Sequence, residues 1–362
     1  MPSRPRLLLF SGLAFVLVSL LLLPFSRFSG TIGLSSPLSY NAASHRPNGV
    51  IFILVNPKRI TQALMALYNV EDRFNHRLKY PYVLFTAEDE ADALTEEIRA
   101  KIGYITEGRA TFATVQPEAW GVPDGLDKFL VDESIRKIGF SIGYRSMCRF
   151  YSGFFWRHPA LARYEWLWRL DTDIEFHCDV PYDPIERVIE QQGLYGFVQV
   201  TPDASWVQPT LASNVSHFLA SHASLLPPDV NLEFVWKGPE GAAKALQGTA
   251  ESDDWSGMTF YNNFEISHRS IWESPAYTKL FEALDKAGGF FYERWSDAPI
   301  HSYGLAMTLR KDQVVHFGDL GYQHQKWAYE CPATLSRCAC VNDDVATDFK
   351  NNSDRWYTPR PW

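Results

Sequence analysis

The 362-residue chain lacks the features that mark several common protein classes. It contains no long run of Lys and Arg, and its formal net charge is -8, so it has no clustered positive charge to bind a phosphate backbone. No repeat of fixed period is visible, which argues against a solenoid or a propeller. We therefore expect no nucleic-acid partner. A hydrophobic content of 46% over this length is enough to bury one large core.

Cysteine is also scarce, with five residues in the chain. Cys331, Cys338 and Cys340 crowd a short tail, whereas Cys148 and Cys178 lie far upstream. Without CxxC pairs or His at finger spacing, a zinc site in the tail has little support. In an oxidising compartment we expect a local disulfide from Cys331 instead, and the odd total leaves at least one thiol free or intermolecular.

A long hydrophobic run is present near the N-terminus. Residues 7–25 are almost uninterruptedly apolar, Arg4 and Arg6 precede them, and Arg27 follows closely. A bilayer core needs about 20 apolar residues in a helix, whereas the apolar part of a cleaved signal is about 7–15 residues long. The positive flank favours a cytosolic N-terminus. We predict a cytosolic tail at 1–6 and a transmembrane signal anchor at 7–25. The alternative, a cleaved secretory signal, also leads into the secretory pathway.

The segments outside the main domain follow from composition. Residues 26–48 are rich in Ser, Gly, Pro and Asn, which predicts a stem or linker. The main domain is expected to extend over 49–345, with a C-terminal tail at 346–362. N-glycosylation acceptor triplets begin at Asn214 and Asn351, in agreement with a lumenal body.

From residue 49 onward, short apolar runs alternate with segments of helical periodicity. The run at 50–55 is of the buried-strand type, and a helix with Leu64 and Leu67 on its apolar side follows it. Further strands are predicted at 82–85, 110–115, 166–170 and 195–200. This alternation predicts an α/β fold with a mixed, mostly parallel sheet flanked by helices.

Three segments carry specific expectations. Residues 129–155 are expected to be helical with a break at Gly143, and the helix at 277–287 is expected to stop at Gly288. Residues 227–256 are polar and Gly-rich, which predicts an irregular insertion near the functional site rather than a domain boundary.

Two carboxylates follow the predicted strand 166–170. Ligands of open α/β sheets bind beyond the carboxyl ends of the strands, and Asp171 and Asp173 stand at that position. Carboxylates at i and i+2 project to the same side of an extended segment, where a divalent cation can link them to a diphosphate. The alternative is an acidic turn without a ligand. Arg169, on the same strand, is a candidate for donor binding.

Further candidates lie downstream. Glu265 is a single carboxylate among apolar and aromatic neighbours, a setting that shifts the pKa of an acid or fixes its charge through partners. Asp297 lies two residues before Pro299 and is equally well explained as a helix cap or first-turn acid. His324 is a candidate imidazole ligand for a transition metal such as Mn²⁺, together with Asp171.

Six short motifs give the sequence a family resemblance. They are EDRFN at 71–75, YRSMCRF at 144–150, NFEI at 263–266, GGFFYERW at 288–295, DAPIHS at 297–302 and GYQH at 321–324. In order and spacing they resemble the motifs of the fungal glycolipid and glycoprotein α-1,2-mannosyltransferases. The resemblance implies a single catalytic domain with a GT-A type nucleotide-sugar-binding fold. It also implies a single-pass type II Golgi membrane protein with a lumenal catalytic domain.

The resemblance further implies the chemistry. The donor would be GDP-mannose, the cofactor Mn²⁺, and the transfer would retain the α configuration. The acceptor would be a mannose hydroxyl, the 2-OH, of a protein-linked or lipid-linked glycan such as cell-wall mannan.

The family's site residues fall on residues of this chain. The proposed nucleophile falls on Glu265 and the acid near the acceptor on Asp297. The phosphate-side tyrosine falls on Tyr144. The metal-binding histidine falls on His324 and the metal-binding carboxylate on Asp171.

At one position the sequence departs from the family. Where the family commonly has Glu-Pro, this chain has Asp171-Thr172. Asp is shorter than Glu by about 1.5 Å, so the metal would be held by a shifted backbone, through water, or with help from Asp173. An alternative function follows from this departure, namely a membrane-tethered glycan- or nucleotide-binding homologue without transfer activity. A third hypothesis is hydrolysis by a paired-carboxylate glycosidase, but such an enzyme would have no need of a metal site aimed at a diphosphate.

Overall fold

The computed structural model of the protein describes residues 46–325, 327–328 and 337–339. The predicted cytosolic tail, membrane anchor and C-terminal tail, and nearly all of the stem, lie outside these residues. Within the described ranges, no helix combines the length and the apolar character that crossing a bilayer requires.

The strands of the described residues fall into three sheets. In chain order they are β1 (Gly49–Leu54), β2 (Tyr82–Ala87), β3 (Ala110–Val115), β4 (Trp166–Leu170), β5 (Ile174–Phe176), β6 (Tyr195–Phe197), β7 (Val200–Pro202), β8 (Met258–Phe260), β9 (Phe264–His268), β10 (Val314–His316), β11 (Tyr322–His324) and β12 (Trp327–Ala328). The main sheet has seven strands in the order β10-β6-β9-β4-β1-β2-β3. All neighbours in it are parallel except at β9, which is antiparallel to both β4 and β6.

The helices cover both faces of this sheet. They are α1 (Ile60–Val70), α2 (His76–Leu78), α3 (Glu96–Ile105), α4 (Lys128–Ile138), α5 (Ile142–Gly153), α6 (Pro184–Glu190), α7 (Leu211–His222), α8 (Gly238–Leu246), α9 (Pro275–Ala287), α10 (Gly289–Tyr292) and α11 (Asp297–Thr308). Side chains of α1, α3 and α6 form one core with one face of the sheet. Side chains of α5, α9 and α11 form a second core with the other face.

The predicted strands at 50–55, 82–85, 110–115 and 166–170 match β1 to β4 within one or two residues at their ends. Every residue of β2 and β4 is buried, as expected for strands covered on both faces. The predicted strand 195–200 is divided into β6 and β7, because β6 pairs within the main sheet whereas β7 pairs with β8 in a separate ribbon.

The predicted helix at 277–287 ends as expected, since Gly288 adopts a φ of 73°, which a residue without a Cβ tolerates. The predicted break at Gly143 is wrong. The chain breaks at Gly139, whose φ is 80°, and Ser141 then caps α5 by accepting a hydrogen bond from the Tyr144 amide. Gly143 lies inside the first turn of α5, where glycine needs no unusual backbone angle.

The expectation of an irregular insertion at 227–256 is also wrong in part. This segment contains α8, a helix of nine residues that packs against α7. Its Pro239 occupies the first turn, where a missing amide hydrogen costs nothing, and Ala242 and Ala245 form its buried side. The high helix propensity of alanine thus outweighs the glycines that suggested a loop.

The disulfide of the described residues connects distant parts of the chain. Cys178 is bonded to Cys338, 160 residues later, so Cys338 is not available for the zinc site considered for the tail. Cys331 and Cys340 lie outside the described residues, and with them the expected local disulfide from Cys331. Cys148 is a free, buried thiol, in agreement with the odd cysteine total.

The acceptor triplet at Asn214 lies within α7. The Asn214 amide donates to the Thr210 carbonyl, and the Ser216 hydroxyl is buried, where it accepts from the Ala250 amide. Modification of Asn214 stays a prediction, and Asn351 lies outside the described residues.

Candidate active site

The candidate metal ligands meet where two short strands pair. β4 ends at Leu170, and the Asp171 amide donates to the Asn263 carbonyl at 3.0 Å. β5 starts directly after Asp173 and pairs with β11 so that His324 lies opposite Ile174. This antiparallel pairing brings His324 beside Asp173 although 150 residues separate them in the chain.

Asp171, Asp173 and His324 together form a possible cation site. Each offers one ligand atom, and these atoms all lie within 4.8 Å of one another. His324 Nε2 is 3.1 Å from Asp173 Oδ1, and His324 Nδ1 is buried without a hydrogen-bond partner in the described part of the chain. Two carboxylates and an imidazole are a donor set that suits Mn²⁺ and similar ions. The residues present therefore fit the predicted metal, and Asp173 is placed to share the work of the shorter Asp171.

The two aspartates of this site differ in the direction in which the protein shifts the pKa of their carboxyl groups. Burial by itself raises the pKa of Asp173, but hydrogen bonds with His324 and Gln325 outweigh it and lower the pKa to about 2. Burial raises the pKa of Asp171, although Arg169 and His324 oppose the rise. Asp173 is thus firmly ionised, while a further positive charge nearby would stabilise the ionised form of Asp171.

A cavity of about 540 Å³ opens next to Asp173. Its wall is formed by the turn before α1, by the start of α1, and by Asp173 of the cation site with Gln325 beside it. The lining residues are Lys58, Arg59, Thr61, Gln62, Asp173 and Gln325. Two cationic side chains beside a candidate metal site form a setting for a multiply charged anion.

Arg169 lies deeper, between two carboxylates. Its Nε donates to Asp171 Oδ1 at 3.1 Å and its Nη1 donates to Asp297 Oδ2. The Tyr151 ring lies 3.5 Å from its guanidinium carbon. The charges of Asp171 and Asp297 keep the pKa of Arg169 well above its ordinary value in spite of burial. Arg169 is therefore engaged in holding these carboxylates in place, and any contact to a donor would be shared with them.

Asp297 is the first residue of α11, which confirms its interpretation as a first-turn acid, while Ser296 holds the N-cap position. The role of Asp297 in the site stays a prediction. It is buried, and besides Arg169 it accepts a hydrogen bond of 3.0 Å from Asn262 Nδ2. Burial raises its pKa, but the charges on Arg169 and His301 bring the pKa of Asp297 below its ordinary value.

Glu265 lies on the same sheet face as Arg169, directly opposite it in the β4–β9 register. Its side chain is fully buried. Oε2 accepts from the Tyr195 hydroxyl at 3.0 Å and lies 2.8 Å from His301 Nδ1, while Oε1 has no hydrogen-bond partner among the described residues. A buried carboxylate oxygen without a partner is costly, so this atom is one that a bound substrate could satisfy.

Tyr144 lies on the first turn of α5, half-buried, beside Cys148 and Asp297. The Cys148 thiol, burial and the charge of Asp297 together raise the pKa of Tyr144 far above its ordinary value. Its hydroxyl therefore keeps its proton and acts as a hydrogen-bond donor near Asp297.

Comparison with known proteins identifies the family of this chain. Residues 29–358 match the family of glycolipid 2-alpha-mannosyltransferases. The chain belongs to this family. It is 37% identical over 306 residues to the O-glycoside alpha-1,2-mannosyltransferase homolog 3 of Schizosaccharomyces pombe, covering 81% of this chain and 77% of that protein. It is 33% identical to the alpha-1,2 mannosyltransferase KTR1 of Saccharomyces cerevisiae, covering 84% of this chain and 75% of KTR1.

Solved structures of two similar proteins have the same fold. The core-mannan synthase A (CmsA/Ktr4) of Aspergillus fumigatus, in an Mn/GDP form, is similar with a TM-score of 0.76 and 26% identity over 87% of this chain and 86% of that chain. The mannosyltransferase Ktr4p of S. cerevisiae with GDP also reaches a TM-score of 0.76, at 27% identity over 87% and 83% of the two chains. The predicted family, the GT-A type fold in a single domain and the glycosyltransferase class are therefore confirmed.

Sequence reasoning gave no role to several residues of this mannosyltransferase site. His301 contacts Glu265, and Asn262 contacts Asp297. Arg294 is buried, donates to Asp203 at 3.2 Å, and contributes to the charges around Tyr144. For His301 a signal was present, because it lies four residues after Asp297 in a predicted helix and hence on the same side. Arg294 lies within the motif at 288–295 and Asn262 directly before the motif at 263–266, but neither motif indicates the contact.

Proposed function

We propose that this protein is a retaining α-mannosyltransferase that moves mannose from GDP-mannose to the 2-OH of a mannose on a protein-linked or lipid-linked glycan. The observation that carries the proposal is the close grouping of Asp171, Asp173 and His324 beside a cavity with two cationic side chains. A diphosphate needs compensation of its charge both while it is bound and while it leaves. The cation site and the cationic side chains of the cavity would together provide this compensation.

The donor's diphosphate would be held at this edge of the sheet. Asp171, Asp173 and His324 would bind Mn²⁺, which when present compensates the charge of the leaving group. Lys58 and Arg59 line the adjacent cavity and would bind anionic oxygens of the nucleotide. The protonated Tyr144 hydroxyl would donate a hydrogen bond to the departing phosphate.

The sugar-transfer step would use the buried carboxylates. As the bond to phosphate breaks, positive charge develops at the anomeric carbon, and an anion nearby stabilises it. Glu265 would serve either as nucleophile in a double inversion or as the stabilising carboxylate in a same-face exchange. Asp297, held by Arg169 and Asn262, would orient the acceptor hydroxyl.

The alternative, a homologue whose cation site has been lost, is less well supported. Asp173 and His324 lie close enough to Asp171 to complete a ligand set in spite of the shorter side chain at Asp171. Glu265, Asp297 and their partners are also present.

Product analysis tests the proposal. The purified protein is supplied with GDP-mannose, Mn²⁺ and α-methyl mannoside, and any disaccharide is examined by NMR for its linkage and anomer. We expect an α-1,2-linked dimannoside. Release of free mannose without disaccharide would indicate a hydrolase, and donor binding without turnover would indicate the binding homologue.

We also propose that the protein is a single-pass type II membrane protein whose catalytic domain faces the Golgi lumen. Residues 7–25 with Arg4 and Arg6 before them are the support for this. In sealed microsomes, the C-terminal domain should resist added protease and stay in the pellet after carbonate extraction. Cleavage of that domain without detergent would refute the topology.

A further inference from the structure

We infer that His301 is the counter-ion of Glu265, carrying the proton of the pair as an imidazolium and thereby keeping the buried carboxylate ionised. The inference rests on the proposed role of Glu265 in transfer only for its functional consequence. The protonation itself follows from the contacts of the two side chains.

The two ring nitrogens of His301 both face oxygen atoms that accept hydrogen bonds. Nε2 is 2.8 Å from the Tyr151 carbonyl, and a carbonyl oxygen can only accept, so Nε2 carries a hydrogen. Nδ1 is 2.8 Å from Glu265 Oε2. In a neutral imidazole with hydrogen on Nε2, Nδ1 has a lone pair, which would then face a carboxylate oxygen. The contact thus requires one more proton between Glu265 and His301.

This proton belongs on His301 for two reasons. An imidazole ordinarily binds its proton about two pKa units more strongly than a carboxyl group does. In addition, Oε2 accepts from the Tyr195 hydroxyl at 3.0 Å, and a second donor on the same oxygen favours the ionised carboxylate. Asn262 Nδ2 lies 3.4 Å from Nδ1, but its nearer partner is Asp297 Oδ2 at 3.0 Å, so Nδ1 is not needed as its acceptor.

Charge balance in the surrounding core agrees with this assignment. Five elements contribute titratable or charged groups around the pair, whereas Phe155 and Trp272 pack on the His301 ring with uncharged side chains. The titratable or charged groups are Arg169 on β4, Tyr195 on β6, Tyr151 on α5, Tyr277 on α9 and Asp297 on α11. Arg169 is paired with Asp297, and the three tyrosines are neutral. An ionised Glu265 therefore needs a cation of its own, and His301, fully buried against it, supplies that cation.

His301 would act on the reaction through Glu265, without touching the donor, and is therefore a positioning residue. Without the imidazolium, burial would favour the protonated form of Glu265, which cannot stabilise positive charge at the anomeric carbon. We expect His301→Phe to lower kcat by at least about tenfold while the KM for GDP-mannose stays near that of the wild type. The acid limb of the pH–rate profile should move to higher pH.

The direct test is an NMR measurement of the His301 nitrogens in the full-length protein labelled with ¹⁵N-histidine. The His301 signals are assigned from their loss in His301→Gln. We expect both nitrogens to be protonated at pH 7.5. In Glu265→Gln the ring should become neutral at this pH, with hydrogen on Nε2. A wild-type His301 whose Nδ1 is unprotonated at pH 7.5 would overturn the inference, whatever the activity of the protein.

Ser302→Ala is the matched control on the same helix. Ser302 is fully buried, accepts a hydrogen bond from the Phe260 amide and donates one to the Ala298 carbonyl, so its hydrogen bonds go to backbone groups and not to Glu265 or Asp297. Its loss should destabilise the fold without changing the His301 signals or the pH–rate profile. If Ser302→Ala moved that profile as far as His301→Phe does, the effect would be structural and the positioning role refuted. A failure of the proposed transferase activity would leave the NMR result unchanged, so the two can fail separately.

Discussion

At the edge of the sheet, the carboxylates of Asp171 and Asp173 remain 26% and 16% exposed, whereas the Glu265 carboxylate, on the neighbouring strand, is fully buried. The partly exposed pair has a histidine beside it, and a cavity opens next to Asp173. The buried carboxylates have counter-ions built into the fold, namely Arg169 for Asp297, which shares it with Asp171, and His301 for Glu265. Where solvent and ligands can enter, charge compensation can come with the substrate. In a dry core it must come from the protein, because an unpaired charge there is costly.

Removal of divalent cations should have the largest effect on transfer, and it acts on the partly exposed cation site alone. If Asp171, Asp173 and His324 hold Mn²⁺ against the diphosphate, excess EDTA should abolish transfer, and added Mn²⁺ should restore it. The measurement is mannose transfer to α-methyl mannoside. Undiminished transfer in excess EDTA would mean that Lys58 and Arg59 suffice to compensate the charge of the leaving group. The comparison between the cation site and the buried carboxylates would then no longer hold.

Glu265→Gln acts on the buried carboxylates alone. It keeps the shape of the side chain and removes its charge, so we expect kcat to fall by at least ~10²-fold while GDP-mannose binding stays near normal. Steady-state kinetics and calorimetry of donor binding measure the two effects separately.

Glu273→Gln is a suitable control for that variant, since Glu273 pairs with Arg269 in a half-exposed surface contact. A stable Glu265→Gln protein with nearly full turnover would remove the catalytic role of this carboxylate. Joint loss of thermal stability, donor binding and activity would instead indicate a structural role.

His324→Ala should have a smaller effect that added metal can reverse. Loss of one of three ligands should raise the Mn²⁺ concentration for half-maximal activity by at least about tenfold. His177→Ala is the control, because His177 lies next to β5 in the same small sheet and bonds Gln323 rather than the aspartates. Equal Mn²⁺ requirements in the two variants would argue against His324 as a ligand.

The smallest expected effect concerns stability and pH. The pKa of Asp173 is lowered from its ordinary value of 3.8 to about 2 in the folded protein. Its ionised form therefore stabilises the fold above pH 4, and this contribution is lost as the pH falls towards 2. Asp173→Asn should cost roughly 2 kcal/mol in the free energy of unfolding of the metal-free protein near pH 6. In urea titrations the difference should shrink between pH 4 and 2, and a constant difference would contradict the assigned pKa.

The sequence alone was sufficient for the local elements of the fold. Continuous apolar runs predicted β1, β2 and β4, and Gly288 marked the end of α9, because these features depend on residues within one or two turns of each other. The position of Asp171 and Asp173 at the end of β4 was readable for the same reason. Motif resemblance added Glu265, Asp297 and His324 as candidates, but it did not say how they are held.

The tertiary structure decided which of these residues meet. The antiparallel course of β9 places Glu265 opposite Arg169, and the pairing of β11 with β5 brings His324 to Asp173. The bond between Cys178 and Cys338 closes a loop of 160 residues that the spacing of the cysteines did not indicate. Strand order and the partners of buried charges depend on contacts between residues far apart in the chain. Local propensity and periodicity carry no information about such contacts. Only the folded protein therefore distinguishes the partly exposed cation site, where a ligand can compensate the charge, from the buried carboxylates, whose charge is compensated by side chains of the protein.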